Sequence, residues 1–303
     1  MDKTDYIWFD GTLVRWEDAK VHVLTHALHY GTGVFESCRC YDTADGPAIF
    51  RLKEHMQRLE RSAGFYSMSL PYTVDELCKA TVETVKANRL NECYIRPIAF
   101  FGYKELGVYP LKNPVDVAIA AWKWGAYLGE DGMRKGAKIT ISKWRRISEE
   151  TMPPQAKATA NYANSALAKI DAVKRGYDEA IMLNTKGTVA EGSGENLFIV
   201  KGRTVTTTSD ESGALRGITQ DAVKTIAKDL GYKVRVGRIT KRELFSADEV
   251  FFTGTAAEVT PIRQIDKARY GGIGPVTERI QAKFFDAVRG KDKKYRKWLT
   301  PVR

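Results

Sequence analysis

Lys157 is the first residue of this sequence whose surroundings suggest chemistry. It lies between Ala156 and Ala158, just after the paired prolines at 153–154, which stiffen the chain. A lysine held in an apolar pocket has a lowered pKa, as an amine nucleophile or Schiff-base former requires. The alternative is one more surface lysine in a lysine-rich chain, and spacing alone favours that alternative.

Residues 191–198 form a second stretch of interest. Two carboxylates and an amide lie among small residues, directly before residues 197–200, an apolar run that predicts a buried strand. Small residues let the backbone approach another group closely. A carboxylate that enters a core needs a cation or a strong donor, because burying it alone is costly. The stretch is therefore either a structural turn or the wall of a site.

Two further stretches could bind an anion. Gly217, Ile218 and Thr219 open a predicted helix, where free N–H groups and the dipole favour negative charge. An ordinary N-cap is the alternative. Residues 253–257, TGTAA, follow a predicted strand and could form a second nest of N–H groups. The sequence has no P-loop, no G-x-S-x-G and no complete dinucleotide loop, so nothing indicates ATP, NAD or serine-hydrolase chemistry.

Composition indicates a globular protein of two domains. The chain has 303 residues, of which 43% are hydrophobic and 11% aromatic. No apolar run is long enough to span a bilayer, and the N-terminus lacks the layout of a signal peptide. We therefore expect a cytoplasmic protein with no membrane partner. The four cysteines lack zinc spacing and are expected to be reduced thiols.

The net charge of +11 raises nucleic acid as a partner. The charge is spread along the chain, with its densest patch at residues 291–303, and basic and aromatic residues are not interleaved as in a stacking platform. We expect a basic surface that attracts anionic metabolites and no nucleic-acid partner. Nucleic-acid binding remains an alternative, which a gel shift that persists at physiological salt would support.

Three histidines could share one face of a helix predicted over residues 21–30. His22, His26 and His29 have the required spacing. No cysteine or carboxylate joins them at ligand spacing, and H-E-x-x-H is absent. We therefore expect capping or core histidines and no metal site.

The elements that must position these residues fall into two groups. In the first half, Asp10-Gly11 between apolar runs predicts a β-hairpin, and Thr73 begins a capping box. An α+β domain results, with helices on one side of an antiparallel sheet. Strands are predicted at residues 6–9, 12–16, 34–41, 48–50, 94–98 and 115–120, and helices at 21–30, 56–66 and 74–88.

A glycine-containing stretch without periodicity, residues 124–132, marks a linker. We predict a small N-terminal α+β domain over residues 1–124, an interdomain loop over 125–136 and a large C-terminal domain over 137–303. Strands of the large domain are predicted at 138–142, 179–183, 197–200, 204–208 and 248–252. Its helices are predicted at 163–175, 220–230, with Thr219 as the cap, and 276–288.

Taken together, these motifs resemble the class IV pyridoxal-phosphate aminotransferases, and within them the branched-chain amino acid aminotransferases. The class signature is matched by E-x-S-x-x-N-L-F from Glu191, V-x-T from Val205 and L-x-G-I from Leu215. The subfamily's motifs are matched by YIWF at residues 6–9, HALHYGTGVFE at 26–36, MQRL at 56–59 and YIRP at 94–97. The resemblance covers nearly the whole chain.

The resemblance implies a two-domain fold type IV, similar to D-amino acid aminotransferase and mixing α+β and α/β architecture, with pyridoxal 5'-phosphate (PLP) held between the domains. It implies reversible amino transfer between L-leucine, L-isoleucine or L-valine and 2-oxoglutarate, which gives branched-chain 2-oxo acids and L-glutamate. It also implies a homo-oligomer, at least a dimer, with a hexamer of three dimers open. Other class IV enzymes are the alternative: a D-amino acid aminotransferase, an amine transaminase or an aminodeoxychorismate lyase.

The resemblance assigns roles around the cofactor. Lys157 would form the Schiff base and then act as general base and acid. Glu191 would face the pyridine nitrogen, and the protonated ring would be the cation that this buried acid needs. The other residues expected at the cofactor are Arg58, Ile218, Thr219 and Thr255 at the phosphate, Tyr162 at the phenolic oxygen, and Gly194. Glu195 and Asn196 are expected to be structural hydrogen-bonding residues.

The resemblance also assigns the substrate pocket. Tyr94 and the amides of Thr255 and Ala256 would bind the α-carboxylate, and Arg96 would pair with the distal carboxylate of glutamate. The rest of the pocket is expected from Tyr30, Phe35, Ser37, Arg39, Trp124, Tyr127 and Tyr162. Core packing is the alternative for the aromatic residues.

The sequence departs from the family pattern at three motif positions, one of which is Cys38, where the family commonly has isoleucine. Ser37 replaces a common glycine, which alters the predicted pocket, and Gln220 replaces the usual lysine or arginine that ends the signature.

Overall fold

The computed structural model describes residues 2–125 and 127–302. Ala126, in the predicted interdomain loop, and the terminal residues Met1 and Arg303 lie outside the described residues. The strands are β1 (Tyr6–Phe9), β2 (Thr12–Arg15), β3 (Gly33–Phe35), β4 (Cys38–Tyr41), β5 (Ala48–Phe50), β6 (Cys93–Phe101), β7 (Val115–Trp122), β8 (Ala137–Ile141), β9 (Glu179–Leu183), β10 (Val189–Gly192), β11 (Asn196–Lys201), β12 (Thr204–Thr207), β13 (Lys233–Val236), β14 (Glu249–Gly254), β15 (Glu258–Ile265), β16 (Ala268–Arg269) and β17 (Leu299–Pro301). The helices are α1 (His26–Tyr30), α2 (Leu52–Gly64), α3 (Val74–Ala87), α4 (Gly129–Lys135), α5 (Thr159–Lys174), α6 (Ile218–Asp229), α7 (Lys241–Phe245) and α8 (Pro275–Val288).

The first of two compact units is built on an antiparallel sheet. It comprises residues 2–124, 156–160 and 287–302. The strand order is β17-β5-β4-β6-β7-β1-β2, with β3 paired to β6. The apolar faces of α2 and α3 contribute Leu59 and Leu77 to one core with Ile95 of the sheet. This is the antiparallel sheet with attached helices that the sequence predicts.

Local sequence signals explain where these elements turn and begin. Asp10 (φ 43°) and Gly11 (φ 92°) are both left-handed and make the predicted two-residue turn between β1 and β2. The Thr73 hydroxyl accepts from the Glu76 N–H at 3.3 Å, while the Glu76 carboxylate accepts from the Thr73 N–H at 2.8 Å. This is the predicted capping box, and it begins α3.

Two predicted elements of this unit are shorter in the structure. The predicted helix over 21–30 is helical only in α1, because Thr25 closes a separate turn onto the His22 carbonyl. The predicted strand over 34–41 is interrupted at Glu36, whose N–H donates to the Pro97 carbonyl at 2.8 Å. Its carboxylate accepts from the next N–H, that of Ser37, at 3.1 Å. A buried acid that needs donors therefore separates β3 from β4.

The second unit is built on a mixed sheet. It comprises residue 125 and residues 127–155 and 161–286, and its strand order is β10-β9-β8-β15-β14-β11-β12-β13, with β16 paired to β15. β8 runs parallel to both β9 and β15, and β12 runs parallel to β13. Ala168 and Ala172 of α5 pack against Ala180 and Met182 of β9. The parallel pairs and the covering helix give this unit its α/β character.

The two units do not follow the predicted boundaries everywhere. The predicted loop over 125–136 contains α4. Residues 156–160 belong to the first unit because Val34 and Ala158 form a β-bridge. Residues 287–302 belong there because β17 pairs with β5. The predicted helix 163–175 begins earlier, at Thr159. In the described part of the chain, no helix is both long and apolar enough to cross a membrane.

Candidate active site

Lys157 is buried in the first unit and is not a surface lysine. Only 7% of the residue is exposed, and both neighbouring alanines are buried. Its N–H donates to the Ser62 hydroxyl at 3.0 Å, and its carbonyl accepts from the Phe35 N–H at 3.0 Å. Nζ lies 4.8 Å from the centroid of the Phe35 ring. The flanking small residues therefore let the main chain dock between α2 and β3.

Burial is the main reason that the pKa of Lys157 falls from 10.5 to about 8. The Arg58 guanidinium lowers this pKa further, while the Glu36 carboxylate opposes the shift. A larger fraction of the amine is therefore neutral near neutral pH than in an ordinary lysine. That is the property which nucleophilic and proton-transfer chemistry requires.

Arg58 is held by a buried carboxylate that was not predicted to belong to the site. Glu36 is fully buried and accepts from Arg58 Nε and, at 3.0 Å, from Arg58 Nη2. His55 Nδ1 lies 2.7 Å from the same carboxylate. Burial alone would raise the pKa of Glu36, but Arg58 and His55 hold it well below its usual range. Burial lowers the pKa of His55, so a neutral His55 donates Nδ1–H to the carboxylate.

The predicted pair on β6 is present. Arg96 Nη2 donates to the Tyr94 hydroxyl at 3.2 Å, as expected for side chains two residues apart on one face of a strand. The Arg96 guanidinium also lies over the Phe35 ring, 4.8 Å from its centroid. Phe35, Tyr94, Arg96 and Lys157 are thus one cluster in the first unit, with Lys157 also over Phe35.

Arg39 and Trp124 extend this cluster. Arg39 on β4 is paired in register with Tyr94, and its Nη2 donates to the Trp124 carbonyl at 3.2 Å. The Trp124 ring lies 4.5 Å from the Tyr94 ring and 5.6 Å from that of Trp122. Trp122 was not among the predicted site residues. Trp122 ends β7 and is two residues from Trp124, and this spacing of two tryptophans is the signal that could have identified it.

Ser37 and Tyr30 differ from the predicted pocket-lining roles in what they contact. Ser37 is buried, and its N–H supports the Glu36 carboxylate. Tyr30 is 41% exposed at the end of α1. Its ring lies 4.5 Å from that of His26, and its hydroxyl accepts from the Gly107 N–H at 3.2 Å. Exposure leaves one side of Tyr30 open to another molecule.

Glu191 is buried on β10 in the second unit and is already provided with a cation. Its Oε1 lies 2.7 Å from Arg146 Nε, and its Oε2 accepts from the Leu215 N–H at 3.0 Å. A protonated cofactor ring was predicted as the partner of Glu191, and Arg146 was missed. No local pattern links residues 45 positions apart, whose pairing is made by the tertiary fold.

The predicted phosphate turn lies at the N-terminus of α6. Gly217 is the N-cap, and Ile218 and Thr219 are the first two helical residues, so Thr219 is not the cap. A Cβ on Gly217 would lie 1.8 Å from Asn196 Oδ1, which explains why this position needs glycine. Gln220, which replaces the usual cation, accepts from the Gly217 N–H at 3.4 Å and donates to the Thr207 hydroxyl at 2.8 Å.

The second predicted nest is the turn between β14 and β15. Thr255 and Ala256 lie in this turn and are half-buried. β14 pairs with β11 so that Thr253 is opposite Asn196, which brings the turn beside the loop that contains Gly194. Space around a Cβ at Gly194 is open. The two turns of small residues therefore lie side by side at the ends of neighbouring inner strands of this sheet.

The residues next to these turns are structural. Asn196 Nδ2 donates to the Leu215 carbonyl at 2.8 Å, as expected of a structural side chain. Glu195 is buried and accepts from the Gly194 N–H at 3.1 Å. Burial first, and then the nearby Glu179 carboxylate, raise the pKa of Glu195 well above its usual value, which favours the neutral form of this acid.

Tyr127 and Tyr162 belong to the second unit. The Tyr127 hydroxyl donates to Glu179 Oε2 at 3.4 Å, and Lys169 Nζ lies 5.1 Å from the Tyr127 ring centroid. Tyr162 is half-buried in the first turns of α5.

The three histidines bind main-chain and hydroxyl groups. His26 is buried, with Nδ1 2.8 Å from the Thr32 hydroxyl and Nε2 2.7 Å from the Gly107 carbonyl. His29 Nε2 lies 2.9 Å from the Val23 carbonyl. Among residues 2–125 and 127–302, no group of three His, Cys, Asp or Glu side chains could hold a metal ion.

Comparison with known proteins identifies the class. A family model described as amino-transferase class IV matches residues 33–265. The chain is 48% identical to the branched-chain-amino-acid aminotransferase of Salmonella typhimurium over 99% of this chain and 98% of that protein. It is 47% identical to the enzyme of the same name from Pseudomonas aeruginosa, over 100% and 99%.

Solved structures agree with this similarity. The branched-chain amino acid aminotransferase of Escherichia coli superposes with a TM-score of 0.97 at 47% identity, over 99% of this chain and 100% of that chain. The enzyme from T.th. with pyridoxamine 5'-phosphate gives 0.97 at 51% identity, and its complex with N-(5'-phosphopyridoxyl)-L-glutamate gives 0.96 at 51%, both with full coverage of both chains. The chain therefore belongs to the class IV aminotransferases. Within that class it belongs to the branched-chain amino acid aminotransferase family.

Proposed function

We propose that this protein transfers the amino group of L-leucine, L-isoleucine or L-valine to 2-oxoglutarate, reversibly, with PLP as cofactor. The observation that carries the proposal is the cluster of buried Lys157 with Phe35, Tyr94 and Arg96. It combines an amine of low pKa, an apolar ring and a cation. A substrate pair of one apolar amino acid and one dicarboxylic acid requires these three properties together.

The side chains fit PLP. In the first unit, the buried amine of Lys157 suits an aldehyde and Arg58 suits a phosphate dianion. In the second unit, the first N–H groups of α6 also suit a phosphate. Glu191 suits the ring nitrogen, Tyr162 the phenolic oxygen, and Thr255 and Gly194 complete the contacts. Gly217 keeps the turn before α6 free of a Cβ, so its backbone can approach a ligand closely.

The residues divide the chemical work as follows. When bound, PLP supplies an aldehyde that accepts the amino group and a ring that withdraws electrons from the substrate Cα. Lys157 Nζ would take up the proton from the substrate Cα and hold it for return, for which a pKa of about 8 is well placed. Glu191 holds a proton at the ring nitrogen. Tyr94 in the first unit, and the N–H groups of Thr255 and Ala256 in the second unit, are each proposed as donors to the α-carboxylate.

Specificity follows from the position of Arg96. Its guanidinium lies over Phe35, so one pocket can present an aromatic wall to a branched side chain and a forked donor to a carboxylate. The other aromatic residues proposed for the apolar wall are Tyr30 and Trp124 of the first unit and Tyr127 and Tyr162 of the second unit. Ser37 and Arg39 support it through Glu36 and Trp124.

A donor profile with a spectrum of the cofactor tests the proposal. Purified protein should show a visible cofactor band and should accept L-leucine, L-isoleucine and L-valine well above the D enantiomers of alanine and leucine. A preference for D-alanine would favour a D-amino acid aminotransferase, and a preference for a simple amine would favour an amine transaminase. Protein that binds no PLP would overturn the proposal.

Arg96→Gln should separate the two halves of the reaction. The loss of a charged fork should lower kcat/KM for glutamate and 2-oxoglutarate by about 10–100-fold, with much less effect on leucine, because only the dicarboxylic acid needs the cation. Steady-state kinetics with each substrate varied in turn measure this difference. Arg269→Gln, on the exposed strand β16, is the matched control. An equal loss for leucine and glutamate would contradict the assignment.

We further propose that a second copy of the chain covers an exposed apolar surface of the first unit, here called the α1 surface. It consists of residues 21–30 and 103–111, which lie against each other through the His22–Tyr103 ring contact at 4.2 Å and the Gly107–Tyr30 hydrogen bond. Val23, Leu28 and Val108 are 70%, 63% and 87% exposed there. Such a surface is typical of an interface.

Sedimentation equilibrium tests this assembly, because a dimer or a hexamer of three dimers would be expected and a stable monomer would contradict it. We also propose a cytoplasmic location, which fractionation of cells would test.

A further inference from the structure

Arg146 is a buried cation of the second unit whose main chain is fixed from two sides. It follows β8, and its N–H donates to the Leu183 carbonyl of β9 at 2.9 Å. Asn164 of α5 holds the adjoining residues, since it donates to the Arg145 carbonyl at 2.9 Å and accepts from the Ile147 N–H at 3.3 Å. Main-chain contacts therefore hold the segment in place, and the Arg146 side chain is 4% exposed.

The guanidinium faces Glu191. Arg146 Nε lies 2.7 Å from Glu191 Oε1, close enough for an ion pair although the N–H is not well aligned for a hydrogen bond. Arg146 Nη1 is buried and has no hydrogen-bond partner among residues 2–125 and 127–302. The other Glu191 oxygen accepts from the Leu215 N–H, two residues before the N-cap of α6. Glu191 is thus clamped between a fixed cation and the segment that leads into the predicted phosphate turn.

A buried carboxylate without a cation would take up a proton, because burial disfavours its charged form. With Arg146 beside it, Glu191 can be ionised and held in one orientation before any ligand arrives. Breaking a buried ion pair by removing one partner is strongly destabilising, because an uncompensated charge remains, whereas neutralising both partners costs less.

We propose that Arg146 is a positioning residue: it keeps Glu191 ionised and oriented in the cofactor-free protein, so that the carboxylate is ready for the ring nitrogen. Arg146 acts through Glu191 and is not itself a catalytic residue. The positioning role rests on the proposed function, because it assumes that Glu191 meets the cofactor ring. The ionisation of Glu191 in cofactor-free protein can be measured whether or not the proposed function is correct.

Infrared spectroscopy of cofactor-free protein at neutral pH tests the ionisation. Arg146→Gln should show a protonated-carboxyl band that is additional to any such band of the wild type and is absent from the double variant Arg146→Gln/Glu191→Gln, which assigns the added band to Glu191. Arg146→Lys, which keeps the charge, should lack the band. A spectrum of Arg146→Gln without the band would overturn the inference.

A double-mutant cycle measured by urea unfolding of the same variants tests the pairing. Each single substitution should destabilise the protein, and the double variant should be more stable than the sum of the two effects predicts. Additive effects would overturn the pairing. The double variant leaves neither member of the pair charged and buried without its partner. Its unfolding can therefore be measured even if Arg146→Gln alone does not fold.

Cofactor affinity tests the positioning. Arg146→Gln should bind PLP about tenfold more weakly or worse, as loss of a supporting partner commonly costs, and Arg146→Lys should restore most of the affinity. Unchanged affinity in Arg146→Gln would overturn the positioning role. A wild-type protein that binds no PLP would defeat the proposed function instead, and the infrared and unfolding results would still decide the ion pair.

Discussion

Lys157→Ala is expected to lower turnover of leucine with 2-oxoglutarate by at least ~10³-fold, because general acid–base catalysis alone contributes on the order of 10²–10⁴. The variant removes the amine that bonds to the cofactor aldehyde and the base that moves the Cα proton. The Ser62 and Phe35 contacts that hold this segment are made by the main chain of residue 157, so alanine can keep them. A coupled assay for glutamate measures the loss.

Lys186→Ala is the matched control for this variant. Lys186 is exposed in the turn between β9 and β10, so its removal should leave turnover unchanged. The spectrum of Lys157→Ala should also lack the absorbance of lysine-bound cofactor, even where PLP remains bound through its phosphate. Turnover of Lys157→Ala at the wild-type rate would rule out the proposed role of Lys157.

The pH dependence of cofactor capture follows from the same side chain. The pKa of Lys157 is about 8 in the folded protein against 10.5 for an ordinary lysine. The neutral amine therefore increases as pH rises through 8, and capture of PLP by cofactor-free protein should accelerate between about pH 7 and 9. The folded state disfavours the protonated lysine. Lys157 therefore lowers the free energy of unfolding by its full amount below pH 8, and this effect disappears as pH rises from 8 towards 10.5.

Glu191→Gln is expected to retain PLP but to lower turnover by at least ~10²-fold, in line with the loss of one preorganised electrostatic contact. The amide can still accept from the Leu215 N–H, so the side chain keeps one of its anchors. It can no longer hold a proton at the ring nitrogen, which weakens the withdrawal of electrons from Cα. Absorbance of bound cofactor and single-turnover kinetics measure the two effects separately.

Glu195→Gln is the matched control, because Glu195 lies four residues away and burial raises its pKa, which favours its neutral form. An amide at this position should therefore change turnover little. Equal losses in the two variants would show that the Glu191 effect comes from disturbance of the loop. Full activity of Glu191→Gln would show that the carboxylate does not assist the ring.

Signals between neighbours in sequence determined much of the fold. The left-handed pair at Asp10-Gly11 fixes the first hairpin, and the Thr73 capping box fixes the start of α3. The pairing of Tyr94 with Arg96 was also predictable, because alternate residues of a strand share a face. Resemblance of the motifs then predicted the family, which the comparisons confirmed.

Contacts between distant residues were decided only by the tertiary structure. Nothing near Arg58 in the sequence shows that Glu36 holds it, and nothing near Glu191 shows that Arg146 provides its cation. The predicted strand over 34–41 was wrong in part for the same reason, because the Glu36 N–H donates to the distant Pro97 carbonyl. Hydrogen-bond rules for turns and caps act within a few residues and can be read locally. The ionisation and orientation of a buried acid depend on which distant charges and donors the packed chain brings to it.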